Sequence, residues 1–468
     1  MSKEKTFFVT TPIYYINDVP HIGHAYATIA ADILARYHRE IGDETFFLAG
    51  LDENSQKTVL AAEKAGKEIG SYTDELAGLW QKTWEKLGIT NDDFIRTTED
   101  RHEKTVIEFF NKVEKNGDIY KGKYEGFYCV GHEAFVKRDD LDESGFCPDH
   151  KTKPEKLVEE NYFFKLSKYQ DQILELLEKN PKFIEPEERY HEVYNFVKGG
   201  LQDISITRST QKWGIKAPND PSHVIYVWFD ALINYISAAP EHWPADLHII
   251  GKDILRFHAV IWPAMLLSAG YPLPKKIFAH GFFTIDGTKI SKSLGNAIDP
   301  IKITQDYGND ALRYFLFKEF PFGNDGDFSF ERLNEVYNSD LANGLGNLVS
   351  RVARLAESLD LSGVEPKEKS LLDSAFRIHL DKLEFQQALD YIWDKIHAAD
   401  KSLEKTKPWE LLESDREKAS GIVENLIRQI IEIQELLIPF LPSTAQKIKE
   451  QYSCPKIQLQ DPLFPRRT

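Results

Sequence analysis

Residues 6–40, TFFVTTPIYYINDVPHIGHAYATIAADILARYHRE, constrain the fold more than any other stretch. Thr6 to Thr11 is a short apolar, β-branched run, the pattern of a buried strand. Asn17, Asp18 and Pro20 then break the run as turn residues do. From His21 onward, Ala25, Ile29, Ile33 and Tyr37 recur every fourth residue, which predicts a helix. The N-terminus of a helix that follows a strand offers N–H groups and a positive dipole end, a ready site for phosphate. His21 and His24 lie three apart at its mouth, so both imidazoles can face one point. Gly23 between them removes a side chain where a ligand would approach the backbone. The alternative is a capping turn with two incidental histidines. A second motif far downstream separates the two.

A chain of 468 residues exceeds one ordinary core and predicts roughly two to four domains. Apolar content of 42% and charged content of 28% exclude a disordered or fibrous chain. The net charge of −16 argues against indiscriminate adhesion to nucleic acid or acidic membrane, so an RNA partner must be met by local basic patches. No apolar run reaches bilayer-spanning length, and Phe257 to Ala269, interrupted by Pro263, reads as a buried helix. The start, MSKEKT, lacks a signal core, so a cytoplasmic location and no membrane partner are expected. Three cysteines exclude a disulfide framework.

A second apolar run, Thr45 to Gly50, leads into Leu51-Asp52-Glu53-Asn54. Ligands of open α/β sheets bind beyond the carboxyl ends of strands, which makes Asp52 a candidate for holding a substrate cation, with a helix N-cap as the alternative. Residues 57–115 read as charged, amphipathic helices, and the first half of the sheet is assigned to 1–116. A turn-rich insertion follows over 117–216. It holds Cys129, His132, Cys147 and His150 as two C-x2-H pairs separated by fourteen residues. Such ligands suit a tetrahedral zinc knuckle, while a metal-free insertion with small buried cysteines is the alternative.

From Val224 the runs VIYVWF, LHIIGKD and KIFAHGFFTIDG read as buried strands of a second βα set, assigned to 217–288. Two α/β halves around an insertion predict one doubly wound parallel, Rossmann-like sheet. After Asp286-Gly287 comes Thr288-Lys289-Ile290-Ser291-Lys292-Ser293-Leu294-Gly295-Asn296. Two lysines three apart, interleaved with hydroxyls, are expected to form a mobile cationic loop that wraps a polyphosphate. HIGH at the first strand-to-helix turn and KISKS after the last strand are hard to obtain together by chance. A junction over 289–345 leads to helical periodicity over 346–468, with stripes at Leu380, Leu383, Ala388, Ile392, Ile396 and at Ile422, Leu426, Ile430, Ile433, Leu437. This predicts an α-helical bundle of roughly four or five members.

The combination resembles the class I aminoacyl-tRNA synthetases, and TTPIYYINDVPHIGHAY, YCVGHEAF, VWFDALINY, HIIGKDILRFHAVIWPAML and GFFTIDGTKISKSLGN resemble the methionine-specific family over essentially the whole chain. The resemblance implies activation of L-methionine with ATP to an adenylate, then transfer to the 3′ adenosine of tRNA(Met). It implies that His21, His24, Lys289 and Lys292 act on the phosphates, with Gly23, Gly251, Asp253 and Ser291 also at ATP. Asp52 matches the amine partner, and Ile13, Tyr15, Trp228, Ala231, Leu232, Tyr235, Ile254 and His258 match the methionine pocket. Mg2+ is expected on the ATP phosphates. The helical region resembles an anticodon-binding domain, with Asn347, Arg351 and Trp409 as candidate base contacts.

The chain departs from that family at three places. Ile290 stands for the usual methionine, Asn54 for the histidine of DEH, and His132 for a third cysteine, which leaves zinc occupancy open. The chain stops soon after the bundle, so a monomer is expected. The rival readings are a neighbouring class I synthetase and a catalytically silent tRNA-binding paralogue. The short insertion and the PIYY and WFDALINY runs argue against the enzymes for leucine, valine and isoleucine, and intact HIGH and KISKS against the silent protein.

Overall fold

The computed structural model describes residues 5–129, 134–136, 138, 141–142, 144–148, 151–285, 287–289, 298–363 and 372–467, without the side chains of 124–126, 128, 134–135, 156–159 and 288–289. The opening run forms strand β1 (Thr6–Tyr15), followed by helix α1 (Ile22–Glu40), β2 (Glu44–Asp52) and β3 (Asp93–Arg96). After the insertion come β4 (Ile184–Glu185), β5 (Leu247–Gly251) and β6 (Ile277–His280). Together they make a six-stranded sheet in the order β3-β2-β1-β5-β6-β4, with every pair parallel. Because its strands are covered on both faces, they read as continuous apolar runs rather than as alternation.

β1 and β5 meet where the chain switches direction across the sheet. They pair only at Val9–Leu247 and Thr10–His248. Beyond that point β1 shifts register and continues along β2 to the Tyr15–Asp52 pair, while β5 continues along β6 to Gly251–His280. The two strands therefore part at their carboxyl ends, and a crevice at that switch point is where open α/β sheets take ligands.

Three readings need correction. Residues 57–115 are not helical throughout, since Asp93–Arg96 is strand β3 beside β2. Val224 to Phe229 is not a strand of the parallel sheet: Val224 and Ile225 pair antiparallel with Arg208 and Thr207, and Val227–Ala231 is a helix. A short run that is apolar throughout carries no period to tell strand from buried helix. Within the stretch read as one insertion, 119–129, 134–136, 155–164 and 204–205 form a separate antiparallel sheet, but β4 joins the main sheet by pairing Ile184 with Ile277. Two residues are too few to show a strand pattern.

Beyond the sheet the helices Phe330–Val336, Tyr337–Gly346 and Asn347–Leu359 run on as one rod, the middle part wound as a π-helix. This rod passes straight through the expected boundary between 345 and 346. The helices Ser374–Asp381, Phe385–Thr406, Arg416–Leu437 and Pro442–Tyr452 complete the bundle. Leu380, Ala388, Ile392 and Ile396 are buried on one stripe, and Leu426, Ile430, Ile433 and Leu437 on another. No helix among the described residues is long and apolar enough to cross a membrane.

One buried ionic cluster ties α1 to the bundle. The Asp32 carboxylate, wholly buried, accepts from Thr90 N–H and Oγ1, from Arg36 Nε at 2.8 Å, and meets Arg313 Nη2 at 2.7 Å. Arg313 lies on the helix Asn309–Glu319 and donates to the carbonyls of Phe440 at 2.7 Å and Pro439 at 3.0 Å. Burial alone would raise the Asp32 pKa, but Arg313 and Arg36 hold it below the ordinary carboxylate range. Asp32→Ala leaves Arg313 buried without its counter-charge and is expected to cost about 3–5 kcal/mol in urea unfolding at neutral pH. Since the folded-state value is depressed, the contribution of Asp32 is complete above the ordinary aspartate range and disappears as pH falls through the lowered value. The variant should therefore show a shallower loss of stability in acid than the wild type.

Candidate active site

The helix that opens the chain is capped by its own histidines. His21 is the N-cap in an extended conformation, and its Nδ1 accepts from Gly23 N–H at 3.1 Å. His24 Nδ1 accepts in return from His21 N–H at 3.2 Å, and the two rings stack with centroids 3.7 Å apart. A nitrogen that accepts a backbone N–H carries no proton, so in each neutral ring the proton resides on Nε2, which is a donor. A Cβ at Gly23 would press on the His21 ring at 3.0 Å, so glycine makes room for the cap itself. Tyr14 props this end of the helix by donating to the His24 carbonyl at 3.3 Å and sharing a hydrogen bond with Thr28 Oγ1 at 2.9 Å.

A cavity of about 540 Å³ opens where β1 and β5 part, and His21, Gly23 and His24 line it. From β1 come Ile13 and Tyr15, from β2 Asp52, and from the end of β5 Gly251, Asp253 and Ile254. Trp228 and Ala231 of α3 (Val227–Ala231), Leu232, and Tyr235 of α4 (Asn234–Ala238) form the apolar wall, with His258. Trp228 lies flat on Phe257, ring centroids 3.8 Å apart, and edge-on to Tyr15 at 6.3 Å. His258 Nδ1 donates to the Ile254 carbonyl at 3.1 Å, so its Nε2 accepts from Tyr235 O–H at 2.8 Å. Burial pushes His258 down to about 4 and raises Tyr235, and both are neutral at pH 7. Asp52, 3% exposed, lines the same cavity from the end of β2.

A family model described as tRNA synthetases class I (M) matches residues 7–156 and 143–353. The methionine–tRNA ligase of Thermotoga maritima is 47% identical over 472 residues, covering 96% of this chain and 75% of that protein. That of a Nostoc species is 44% identical over 479 residues, covering 96% and 90%. The solved structure of Mycobacterium tuberculosis methionyl-tRNA synthetase in complex with methionyl-adenylate matches with a TM-score of 0.91 at 38% identity, covering 99% of this chain and 100% of that one. The chain belongs to the class I tRNA synthetases of the methionine type.

The synthetase cavity thus collects every residue expected at methionine and those expected at ATP from HIGH and from Gly251 and Asp253. The KISKS loop differs: Lys289 is described only as backbone, in a strand (Thr288–Lys289) pairing with Phe283–Ile285, and Ser291 and Lys292 lie outside the described residues. So do His132 and His150. Cys129 and Cys147 are both buried, and no group of three or more His, Cys, Asp or Glu among the described residues is arranged to hold a metal ion. In the bundle Arg351 lies 5.4 Å from the Trp409 ring and pairs with Asp400 at 3.3 Å and Glu404 at 2.6 Å, while Asn347 is exposed on the same helix.

Sequence reasoning missed Tyr14, Asn17, Asn234, His280 and Phe282, which also line the cavity. A signal existed for the last two: Gly281 between them follows a strand end, and a Cβ there would collide with the Asn324 carbonyl at 2.1 Å. Tyr14 would be assigned by alternation to the face opposite Ile13 and Tyr15. The buried His258 also yields a prediction. Its folded value of about 4 lies below the ordinary histidine value, so the unfolded chain binds the extra proton and stability falls as pH drops from about 6.5 towards 4. In His258→Gln the slope of unfolding free energy against pH in that window should shrink by about one proton, measured by urea titration between pH 7 and 4.

Proposed function

We propose that the chain is a methionine–tRNA ligase: it joins L-methionine to ATP as methionyl-adenylate, releases pyrophosphate, and transfers the acyl group to the 3′ adenosine of tRNA(Met). One observation carries the reading. A single cavity at the switch point has two imidazole donors at one end, and a carboxylate beside an apolar, aromatic wall at the other.

In this reading the ammonium group of methionine pairs with Asp52, and its side chain lies among Ile13, Trp228, Leu232 and Tyr235, where polarisable aromatic walls suit a thioether. Its carboxylate oxygen then attacks the α-phosphorus in line, and the bond to the bridging oxygen of pyrophosphate breaks. The Nε2–H groups of His21 and His24 donate to the phosphate oxygens as charge grows there, and each such preorganised donor is commonly worth about 3 kcal/mol. Lys289, Ser291 and Lys292 serve the departing pyrophosphate from the opposite side. Gly251 and Asp253 hold the ribose side of ATP. Mg2+ arriving on the ATP phosphates would offset their charge.

For tRNA, Trp409 offers a half-open ring for an unpaired base, and Asn347 and Arg351 offer edge donors beside it. Zinc enters only as a structural ion: the two buried thiols of Cys129 and Cys147 suit it, and His132 and His150 would supply the remaining ligands. No catalytic step runs through it.

Amino-acid-dependent pyrophosphate exchange tests the reading: methionine should drive it far better than leucine, isoleucine, valine or cysteine. Exchange with none of these would favour a tRNA-binding protein without activity. Lys292→Ala should slow adenylate formation by about 100-fold or more while methionine affinity stays nearly unchanged. A large loss of methionine binding would overturn that role. Elemental analysis of the purified protein should find about one zinc per chain, and Cys129→Ala should lose it.

A further inference from the structure

Behind the cavity lies a buried polar chain for which the methionine and ATP contacts give no role. His102, on α2 (Asp100–Lys115), bonds through Nε2 to Asp230 Oδ1 at 2.6 Å and through Nδ1 to Ser237 Oγ at 2.7 Å. His102 and Asp230 are wholly buried, and Ser237 is 7% exposed. A serine, a histidine and an aspartate in a row suggest a nucleophile, but none of the three is among the residues lining the cavity, and Ser237 Oγ also bonds the Asn234 carbonyl at 3.2 Å. A nucleophile with no access to substrate does no chemistry.

The chain leads elsewhere. The second carboxylate oxygen of Asp230 accepts from Asn54 Nδ2 at 2.7 Å, and the same amide nitrogen donates to the Thr97 carbonyl at 3.2 Å. Both donors of the Asn54 amide are thereby used, one on the end of β3 and one on α3. The backbone N–H of Asn54 donates to Asp52 Oδ1 at 3.1 Å. Asp52 lines the cavity at the end of β2, and Trp228 and Ala231 flank Asp230 on α3. One asparagine thus ties the segment that carries the Asp52 carboxylate and the helix that carries the wall into a single frame.

We propose that Asn54 is a positioning residue for methionine, setting the Asp52 carboxylate and helix α3 at the separation that a bound amino acid requires. The proposal rests on the reading of Asp52 as amine partner and of Trp228 and Ala231 as side-chain wall. Asp230 and His102 act behind it, holding the Asn54 amide against a carboxylate whose own acceptors are satisfied. Glu53 cannot serve in its place, because its carboxylate is engaged by Arg96 at 2.6 Å and by Thr98 Oγ1.

The test is pyrophosphate exchange on Asn54→Leu, which keeps the volume and removes both donors, and on Asn54→His, whose ring N–H can still reach Asp230. Asn54→Leu should raise the KM for methionine by about 10- to 100-fold, the range expected when a charge-assisted hydrogen bond is lost. The KM for ATP should stay within about 2-fold, and kcat should fall less than the methionine KM rises. Asn54→His should recover most of the loss. An unchanged methionine KM in folded Asn54→Leu overturns the proposal, and so does a parallel rise in both KM values, which marks a general structural defect. Should Asn54→Leu fail to fold, Asn54→Ser carries the same reading. Asp52→Ala is run alongside: unchanged methionine affinity in that variant overturns the amine assignment itself, whereas its failure with an unaffected Asn54→Leu overturns only the role of Asn54.

Discussion

The start of helix α1 and one end of the cavity lining depend on the same two hydrogen bonds, those of the histidine cap. A helix begins with N–H groups that have no partner, and a buried start must satisfy them. In α1 the usual serine or aspartate cap is replaced by His21, and the reciprocal bond comes from His24 rather than from glutamate. An acidic cap would instead place negative charge on the cavity lining. A neutral imidazole that accepts the backbone N–H at Nδ1 carries its proton on Nε2, at the other edge of the ring. The helix cap and the cavity lining therefore use the same residues at the same spacing, and the capped helix is the reason both are legible in the sequence.

That helix is held at its far side as firmly as at its mouth. Asp32 lies within α1 and meets Arg313, whose guanidinium also gathers the carbonyls of the turn at Pro439 and Phe440. Tyr37, further along α1, donates to Asp381 of the bundle at 2.8 Å. The bundle is thus bonded to the element whose first turn lines the cavity. Buried ion pairs give little net stability relative to apolar packing but leave a costly unpaired charge when broken, so they fix which surfaces meet. The continuous rod from Phe330 to Leu359 adds a second, covalent tie between the two parts.

The sequence made the parallel sheet legible through its apolar runs at β1, β2, β5 and β6, because strands covered on both faces have no polar side to interrupt them. It failed at Val224 to Phe229 for the same reason: a run without period does not choose between strand and helix. It failed at β4 because two residues carry no pattern. Within the site, residues of recognisable motifs lie together around the cavity, from Ile13 to His258. The Asn54–Asp230–His102 chain was not legible. Its members are 48 residues or more apart in sequence, each is ordinary by itself, and only the packing of α2 and α3 behind the sheet joins them. Asn54 was visible as a departure, and the structure gives that departure partners.

The order of charges along the cavity then narrows what it can accept. The Asp52 side chain is buried, and the apolar wall of the same cavity presents a tyrosine and a histidine that have satisfied each other and are both neutral. A charge placed against that neutral wall would face desolvation without a partner, so the wall favours an uncharged group. The Tyr235–His258 pair also has its one strong donor–acceptor bond already made, which disfavours side chains that need several hydrogen bonds and tolerates one weak acceptor such as a thioether. Shape must do the remaining work, and a hydrophobic wall separates ligands differing by one methylene by only about 10- to 200-fold. Selectivity of that size survives only if Asp52 and Trp228 keep a fixed separation, since a loose pocket lets a shorter side chain slide into contact. In the proposed reading, the hydrogen bonds of the buried chain behind the wall hold that separation.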